Sequence, residues 1–204
     1  MELVVFLGIV LLIYFVFNCL YNYSEINYVK SSVDDHVYII RRGHNKTPEF
    51  LKNSANTLAE INSRVERLIN TISHKYDTDP TKNYFIKKLR ENYRYNMISE
   101  AEIDPRYTTY TVDKEDMHIC LRTRDQNEQI YDINTLMYVV LHELSHLCNY
   151  TPDGTPILGH GDEFKTIFRF LVQESVSIGI YNYIDYTRNP QSYCGLVIST
   201  QIAN

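Results

Sequence analysis

The chain has 204 residues, of which 44% are hydrophobic and 22% are charged. These proportions are typical of a folded globular protein, and they exclude a wholly disordered chain and a protein that crosses a membrane many times. The formal net charge of -5 argues against nucleic acid as a partner, because nucleic-acid-binding proteins usually present a basic surface. The length accommodates one domain and a short additional segment.

The first segment of the chain is strongly apolar. It reads LVVFLGIVLLIYFVF from Leu3 to Phe17 and continues to Tyr21, which approaches the ~20 residues that a membrane-spanning helix needs. A cleaved signal peptide is the competing interpretation, but no basic residue precedes the run and no small-x-small cleavage site follows it. The sequence therefore predicts an uncleaved transmembrane anchor over residues 1–21.

The charges around this segment suggest an orientation. Lys30, Arg41 and Arg42 follow the apolar run, and no Lys or Arg precedes it. By the positive-inside rule the rest of the chain lies in the cytosol. The sequence thus predicts a single-pass membrane protein with a juxtamembrane connector over residues 22–46 and one folded domain over residues 47–204.

Helical and strand periodicities follow one another within the predicted domain. Thr or Asp followed by Pro marks two helix starts, and alternating Thr/Tyr-rich and apolar segments mark a hairpin. The predicted elements of the domain are helices over 47–73 and from 79, a hairpin over 107–122, a helix capped by Asp132, a Gly/Pro loop at 149–159 and a helix capped by Asp162; a short strand at 37–40 is predicted in the connector before it.

The four cysteines lie at positions 19, 120, 148 and 194. No two of them form a CxxC pair, which argues against a zinc knuckle or a thioredoxin-like motif. Their wide and irregular spacing favours free thiols in a reducing compartment, and Cys148 is interpreted as a packed thiol.

One short motif carries the chemistry that the sequence suggests. The chain reads His142-Glu143-Leu144-Ser145-His146, so the two histidines lie about 40° apart around a helix axis and both imidazoles reach one metal ion. Glu143 stands beside them, where a carboxylate takes a proton from a metal-bound water. This arrangement is typical of zinc peptidases, and it predicts one Zn²⁺ per chain.

A catalytic zinc site needs a third protein ligand and one open position. His160 follows the Gly/Pro loop and is flanked by glycines on both sides, which lets the backbone turn it back toward the helix. We therefore predict His160 as the third ligand. The alternatives are three carboxylates farther along the chain: Asp162, Glu163 and Glu174.

HELSH followed by GHGDEF resembles the SprT-like and WLM families of zinc metallopeptidases. The segment MHICLRTRDQ and the helix INTLMYVVLHELSH are similar to the WLM pattern, and the tail is similar to that of the membrane-anchored WLM-type proteins of large DNA viruses; the resemblance covers residues 107–198. It implies a zincin-like α+β fold, in which a small antiparallel or mixed sheet packs on a zinc-binding helix. It also implies that His142, His146 and His160 are the zinc ligands and that Glu143 is the general base.

These observations predict a membrane-anchored zinc metalloendopeptidase that acts on a protein or peptide substrate, in a host or virion membrane. The alternative is a catalytically silent zincin-fold membrane or virion protein, in which zinc is structural and the domain binds a partner.

Overall fold

The computed structural model describes residues 2–23, 26–44, 47–103, 108–200 and 202, without the side chains of residues 2–5 and 19–23. The architecture is α+β, with helices packed against small sheets. In chain order the elements are α1 (Glu2–Tyr23), β1 (Ile26–Lys30), β2 (Val37–Arg41), α2 (Pro48–Lys75), α3 (Pro80–Asn92), β3 (Ile98–Glu100), β4 (Tyr110–Val112), β5 (Asp116–Ile119), α4 (Ile133–Cys148), α5 (Asp162–Ser177), β6 (Gln191–Tyr193) and β7 (Leu196–Ile198).

The structure contradicts the prediction of a transmembrane helix. Within the described residues, no helix combines the length and the apolar character that crossing a membrane requires. The physical reason is that the unbroken apolar run covers only Leu3 to Phe17, which is shorter than the ~20 residues of a typical span. The predictions of an N-terminal transmembrane helix and of a single-pass membrane location with a cytosolic domain were therefore wrong. Arg41, which was counted as a cation flanking the membrane, is buried inside the domain.

Local capping determines where the long helices begin. The Thr47 side chain accepts a hydrogen bond from a backbone N–H of the first turn of α2, and Pro48 occupies the first helical position. The Asp79 side chain caps α3 in the same way. Both predicted starts are confirmed. The helices begin at these positions because each cap satisfies N–H groups that lack a partner inside the helix. The apolar stripe of α2 is buried in the core: Leu58, Ile61, Val65, Leu68 and Ile72.

A three-stranded mixed sheet lies next to the helices, with strand order β3-β5-β4. β3 pairs with β5 in parallel, and β4 pairs with β5 as an antiparallel hairpin. The turn of this hairpin covers residues 113–115, and Asp113 and Lys114 have a positive φ, as is common in tight hairpin turns. The predicted hairpin is thus confirmed over Tyr110–Ile119, while Tyr107, the predicted start of its first strand, lies outside the described residues.

Four buried charges connect β2, β3 and the segment after β5. Arg122 is fully buried and donates to both carboxylate oxygens of Glu100, at 2.5 and 3.0 Å. Arg41 Nη2 lies 3.5 Å from Glu128 Oε1. A side chain at Gly43 would collide with this cluster, because a Cβ there would overlap the carboxylate of Glu128. The cluster pairs two cations with two anions, which is what makes burial of such charges tolerable.

Two of the four cysteines are joined, which corrects the prediction of free thiols. Cys120, after β5, forms a disulfide with Cys194 in the turn of the β6–β7 hairpin. The two residues are 74 positions apart in sequence, so their spacing alone did not indicate the pair. Cys148 is free and buried, as predicted, and the side chain of Cys19 lies outside the described part of α1.

Candidate metal centre

Helix α4 carries the first two histidines. The Asp132 side chain accepts a hydrogen bond from the backbone N–H of Asn134 at 2.9 Å, so α4 begins at Ile133, as the sequence predicted. The apolar face of the helix lies in the core. His142 and His146 emerge one turn apart on the opposite face, half-buried, with ring centroids 5.0 Å apart.

The loop after α4 returns the third histidine to this face. The Ile157 N–H donates to the Asn149 carbonyl at 3.0 Å and closes the loop. Gly159 has a φ of 83°, in the left-handed region that glycine adopts without strain. His160 Nε2 consequently lies 3.0 Å from His142 Nε2 and 3.1 Å from His146 Nε2. The structure therefore brings together the three histidines that the sequence predicted as ligands.

The alternative third ligands do not reach this group. Glu174 faces the other side of α5, where it accepts hydrogen bonds from Lys75 Nζ at 2.8 Å and from the Tyr76 hydroxyl at 2.7 Å. Asp162 and Glu163 are exposed in the first turn of α5. Asp162 is also the first residue of this helix rather than its predicted cap. Within the described residues, the group able to share a metal ion consists of the three histidines.

The donor set fits a zinc ion. The three ligand nitrogens all lie within 4.8 Å of one another. Zinc holds imidazole nitrogens at about 2.0–2.1 Å, which puts two nitrogens of a tetrahedral site about 3.3 Å apart. Burial, together with the neighbouring histidines, lowers the pKa of His142 to about 3 and that of His146 to about 4. Both imidazoles are therefore neutral at neutral pH and have lone pairs available for a metal.

Glu143 lies beside the histidines and is bound by a residue of the sheet. Its side chain is 6% exposed, and burial raises its pKa to about 7, partly offset by a hydrogen bond from Thr111. Thr111 Oγ1 in β4 donates to Glu143 Oε2 at 2.9 Å. The sequence indicated Glu143 but not Thr111, because nothing in a Thr/Tyr-rich strand singles out one threonine.

One aromatic ring supports all three histidines. Phe164, in the first turn of α5, is buried, and its ring centroid lies 4.9, 4.4 and 4.7 Å from those of His142, His146 and His160. Sequence reasoning identified Phe164 as a core residue and missed this contact. The available signal was its position four residues after His160, in the first turn of the helix that follows this histidine.

The histidines and Glu143 line an open cleft of about 470 Å³. One wall is the edge strand β4, and the opposite wall is the end of the loop that carries His160. The Leu158 side chain of that loop is highly exposed at the rim. The metal-competent group is therefore accessible from solvent along a strand edge.

The fold and the site define an α+β domain with a three-histidine centre beside a buried glutamate. No family model and no solved structure matches the chain. The chain is 34% identical to uncharacterized protein R325 of Acanthamoeba polyphaga mimivirus, over 88% of this chain and 85% of the relative. It belongs to the family of that mimivirus protein.

Two further relatives come from iridescent viruses. Uncharacterized protein 042R of Invertebrate iridescent virus 3 is 37% identical over 50% of this chain and 58% of the relative. Uncharacterized protein 136R of Invertebrate iridescent virus 6 is 26% identical over 75% of this chain and 80% of the relative. The names of these relatives assign no activity, so the function has to be argued from the site.

Proposed function

We propose that the chain is a zinc-dependent metallopeptidase of the SprT-like or WLM type, which hydrolyses peptide bonds in a protein or peptide substrate. The observation that carries this proposal is the convergence of three imidazole nitrogens, within 4.8 Å of one another, beside the buried Glu143 in an open cleft. The resemblance of HELSH and GHGDEF to those families supports the same assignment.

Each residue of the site has a defined task in this reaction. His142, His146 and His160 hold one zinc ion through their Nε2 atoms. When bound, zinc supplies a Lewis acid that polarises a carbonyl and lowers the pKa of water. Glu143 accepts a proton at its carboxylate from the attacking water and passes it to the departing amine nitrogen. Thr111 holds Glu143 Oε2 in place through its hydrogen bond.

The edge strand β4 offers a way to hold the substrate. It is one of the two outer strands of the sheet, and its residues Tyr110 and Thr111 line the cleft. An extended peptide pairs with such an edge through backbone hydrogen bonds, which require no particular sequence. This pairing would lay the peptide backbone across the three histidines.

Cleavage of a peptide library by the full chain tests the proposal. The chain is loaded with zinc, incubated with a proteome-derived peptide mixture, and the new N-termini are counted by mass spectrometry. We expect cleavage that a chelator abolishes and added zinc restores. The Glu163→Gln variant is the matched control, because Glu163 is an exposed carboxylate near the site that has no part in the proposed chemistry.

The opposite result would favour the alternative in which zinc is structural. In that case zinc raises the stability of the chain, as metal binding coupled to folding does, but no new N-termini form. The domain would then be a partner-binding protein, for example of a virion.

A further inference from the structure

A second pocket adjoins the metal centre on the side away from the loop of His160. Its volume is about 290 Å³, and it shares His142 and Glu143 with the main cleft. The other walls come from helices α4 and α5, from the segment 193–200 that contains strand β7, and from Thr108 and Thr109 before β4. Its apolar lining consists mainly of Tyr138, Val139, Phe168, Leu196, Val197 and Ile198.

The wall formed by the C-terminal segment is attached at three points. The Cys120–Cys194 disulfide fixes the hairpin turn to the end of β5. The Tyr138 hydroxyl donates to the Thr200 carbonyl at 3.1 Å, and Arg169 Nε donates to the Ile202 carbonyl at 3.0 Å. Because these attachments come from three different parts of the domain, the pocket is formed before any ligand arrives.

Part of the apolar lining is exposed to solvent. Leu196 and Val197 are 59% and 61% exposed, although both belong to the pocket wall. Neighbouring exposed apolar side chains at the rim of a cleft are typical of a surface that a ligand covers. The aliphatic character of these side chains favours an apolar ligand group.

We infer that this pocket receives a large apolar side chain, aromatic or branched aliphatic, of the substrate residue next to the bond that is cleaved. The inference rests on the proposed peptidase function. The pocket shares His142 and Glu143 with the main cleft, so a side chain in it belongs to a residue beside the reacting carbonyl. Its volume of about 290 Å³ leaves room for one aromatic or branched aliphatic side chain.

The chemistry of the lining also disfavours an acidic side chain. Such a side chain would approach the Glu143 carboxylate and would lose hydration against the aromatic and aliphatic walls. A small side chain such as that of alanine would leave most of the apolar wall uncovered. The selectivity expected is therefore for Phe or Leu over Ala, and for Ala over Glu.

Two measurements on one set of peptides test this inference. The probes are fluorescent hexapeptides of Gly and Ala in which one position is Phe, Leu, Ala or Glu. Affinity for the Phe, Leu and Ala peptides is measured by fluorescence anisotropy with the zinc-loaded, full-length Glu143→Gln variant, and hydrolysis of all four peptides is measured with the wild type, which keeps the Glu143 carboxylate. We expect the Phe peptide to bind at least about tenfold more tightly than the Ala peptide.

Substitutions at the exposed rim separate the pocket from the rest of the site. In the Glu143→Gln background, Val197→Glu should abolish the difference in affinity between the Phe and Ala peptides. Val197→Thr keeps the side-chain shape and should reduce this difference only partly. The matched control is Val33→Glu. Val33 is 54% exposed and follows β1, outside both pockets, so this substitution should leave the difference in affinity unchanged.

The outcomes distinguish failure of the inference about the pocket from failure of the proposed peptidase function. Equal affinities for the Phe, Leu and Ala peptides, or a Phe-to-Ala affinity ratio that survives Val197→Glu, would overturn the inference. Hydrolysis without a preference for Phe or Leu would reject the pocket and leave the peptidase standing. A Val197-dependent ratio in binding, with no hydrolysis by the wild type, would support the pocket and reject the peptidase.

Discussion

Thr111 Oγ1 donates a 2.9 Å hydrogen bond to Glu143 Oε2, and this contact joins the edge strand of the sheet to the metal-binding helix. Because β4 also lines the cleft, the strand proposed to bind the substrate is the one that orients the proposed base. A carboxylate held at one oxygen has fewer orientations available, which is the kind of preorganisation that catalysis uses.

Replacement of Thr111 tests this contact. Thr111→Val removes the donor and keeps the shape, so we expect kcat to fall by roughly tenfold or more, with zinc content unchanged. Thr111→Ser restores the hydroxyl and should recover most of the activity. The check is a comparison of kcat, KM and zinc content for the three proteins. Equal kcat values for Val and Ser would show that the hydrogen bond does not position Glu143.

Removal of the third histidine tests the ligand set. His160→Ala should lower zinc affinity sharply and leave a weak two-histidine site, because zinc sites of this kind use three protein ligands. Glu174→Gln is the control, since Glu174 contacts Lys75 and Tyr76 rather than the histidines. Competition with a zinc chelator measures both affinities. If the zinc affinity fell in Glu174→Gln but not in His160→Ala, the third ligand would be Glu174 rather than His160.

The disulfide predicts a response to reductant. Cys120–Cys194 closes a long loop, and such a crosslink typically contributes about 2–4 kcal/mol to the free energy of unfolding. Urea denaturation with and without dithiothreitol should show this loss in the wild type. Cys194→Ser should be less stable than the wild type, and dithiothreitol should not change its stability further. Cys148→Ser alters only the free thiol, so dithiothreitol should still lower the stability of this variant. Identical wild-type curves in both conditions would contradict the prediction.

The buried charge cluster predicts a large stability effect far from the metal. Glu100→Ala leaves the fully buried Arg122 without the carboxylate to which it donates, and loss of one partner from a buried pair typically costs about 3–5 kcal/mol. Glu60→Ala is the control, because Glu60 and Arg64 form a partly exposed helix pair worth about 0.3–0.5 kcal/mol. Urea denaturation of both variants gives the comparison, and similar losses would show that the cluster is not a stabilising network.

The sequence predicted the features that depend on local signals. Thr47, Asp79 and Asp132 cap helices where side-chain oxygens meet free N–H groups. The spacing of His142 and His146 determined their shared helix face, and the glycine before His160 indicated the turn that brings it back. Such features involve residues a few positions apart, so the local sequence contains most of the information.

The features that were missed depend on contacts between distant parts of the chain. The Cys120–Cys194 pair, the ion pair of Arg122 with Glu100, and the contact of Thr111 with Glu143 each join residues that only the fold brings together. Short strands such as β6 and β7 have too few residues for a clear alternation. The transmembrane prediction is wrong for another reason, because the unbroken apolar run from Leu3 to Phe17 is shorter than a typical span.

Paired measurement of zinc content and peptide turnover, in the wild type and in Glu143→Gln prepared side by side, tests the central claim most directly. Gln keeps the shape of the side chain but does not accept the proton, and general-base help is typically worth about 10²–10⁴ in rate. The account predicts equal zinc content in the two proteins and turnover reduced by at least about a hundredfold in the variant. Equal turnover in both proteins, or a zinc-loaded wild type that cleaves no peptide, would contradict it.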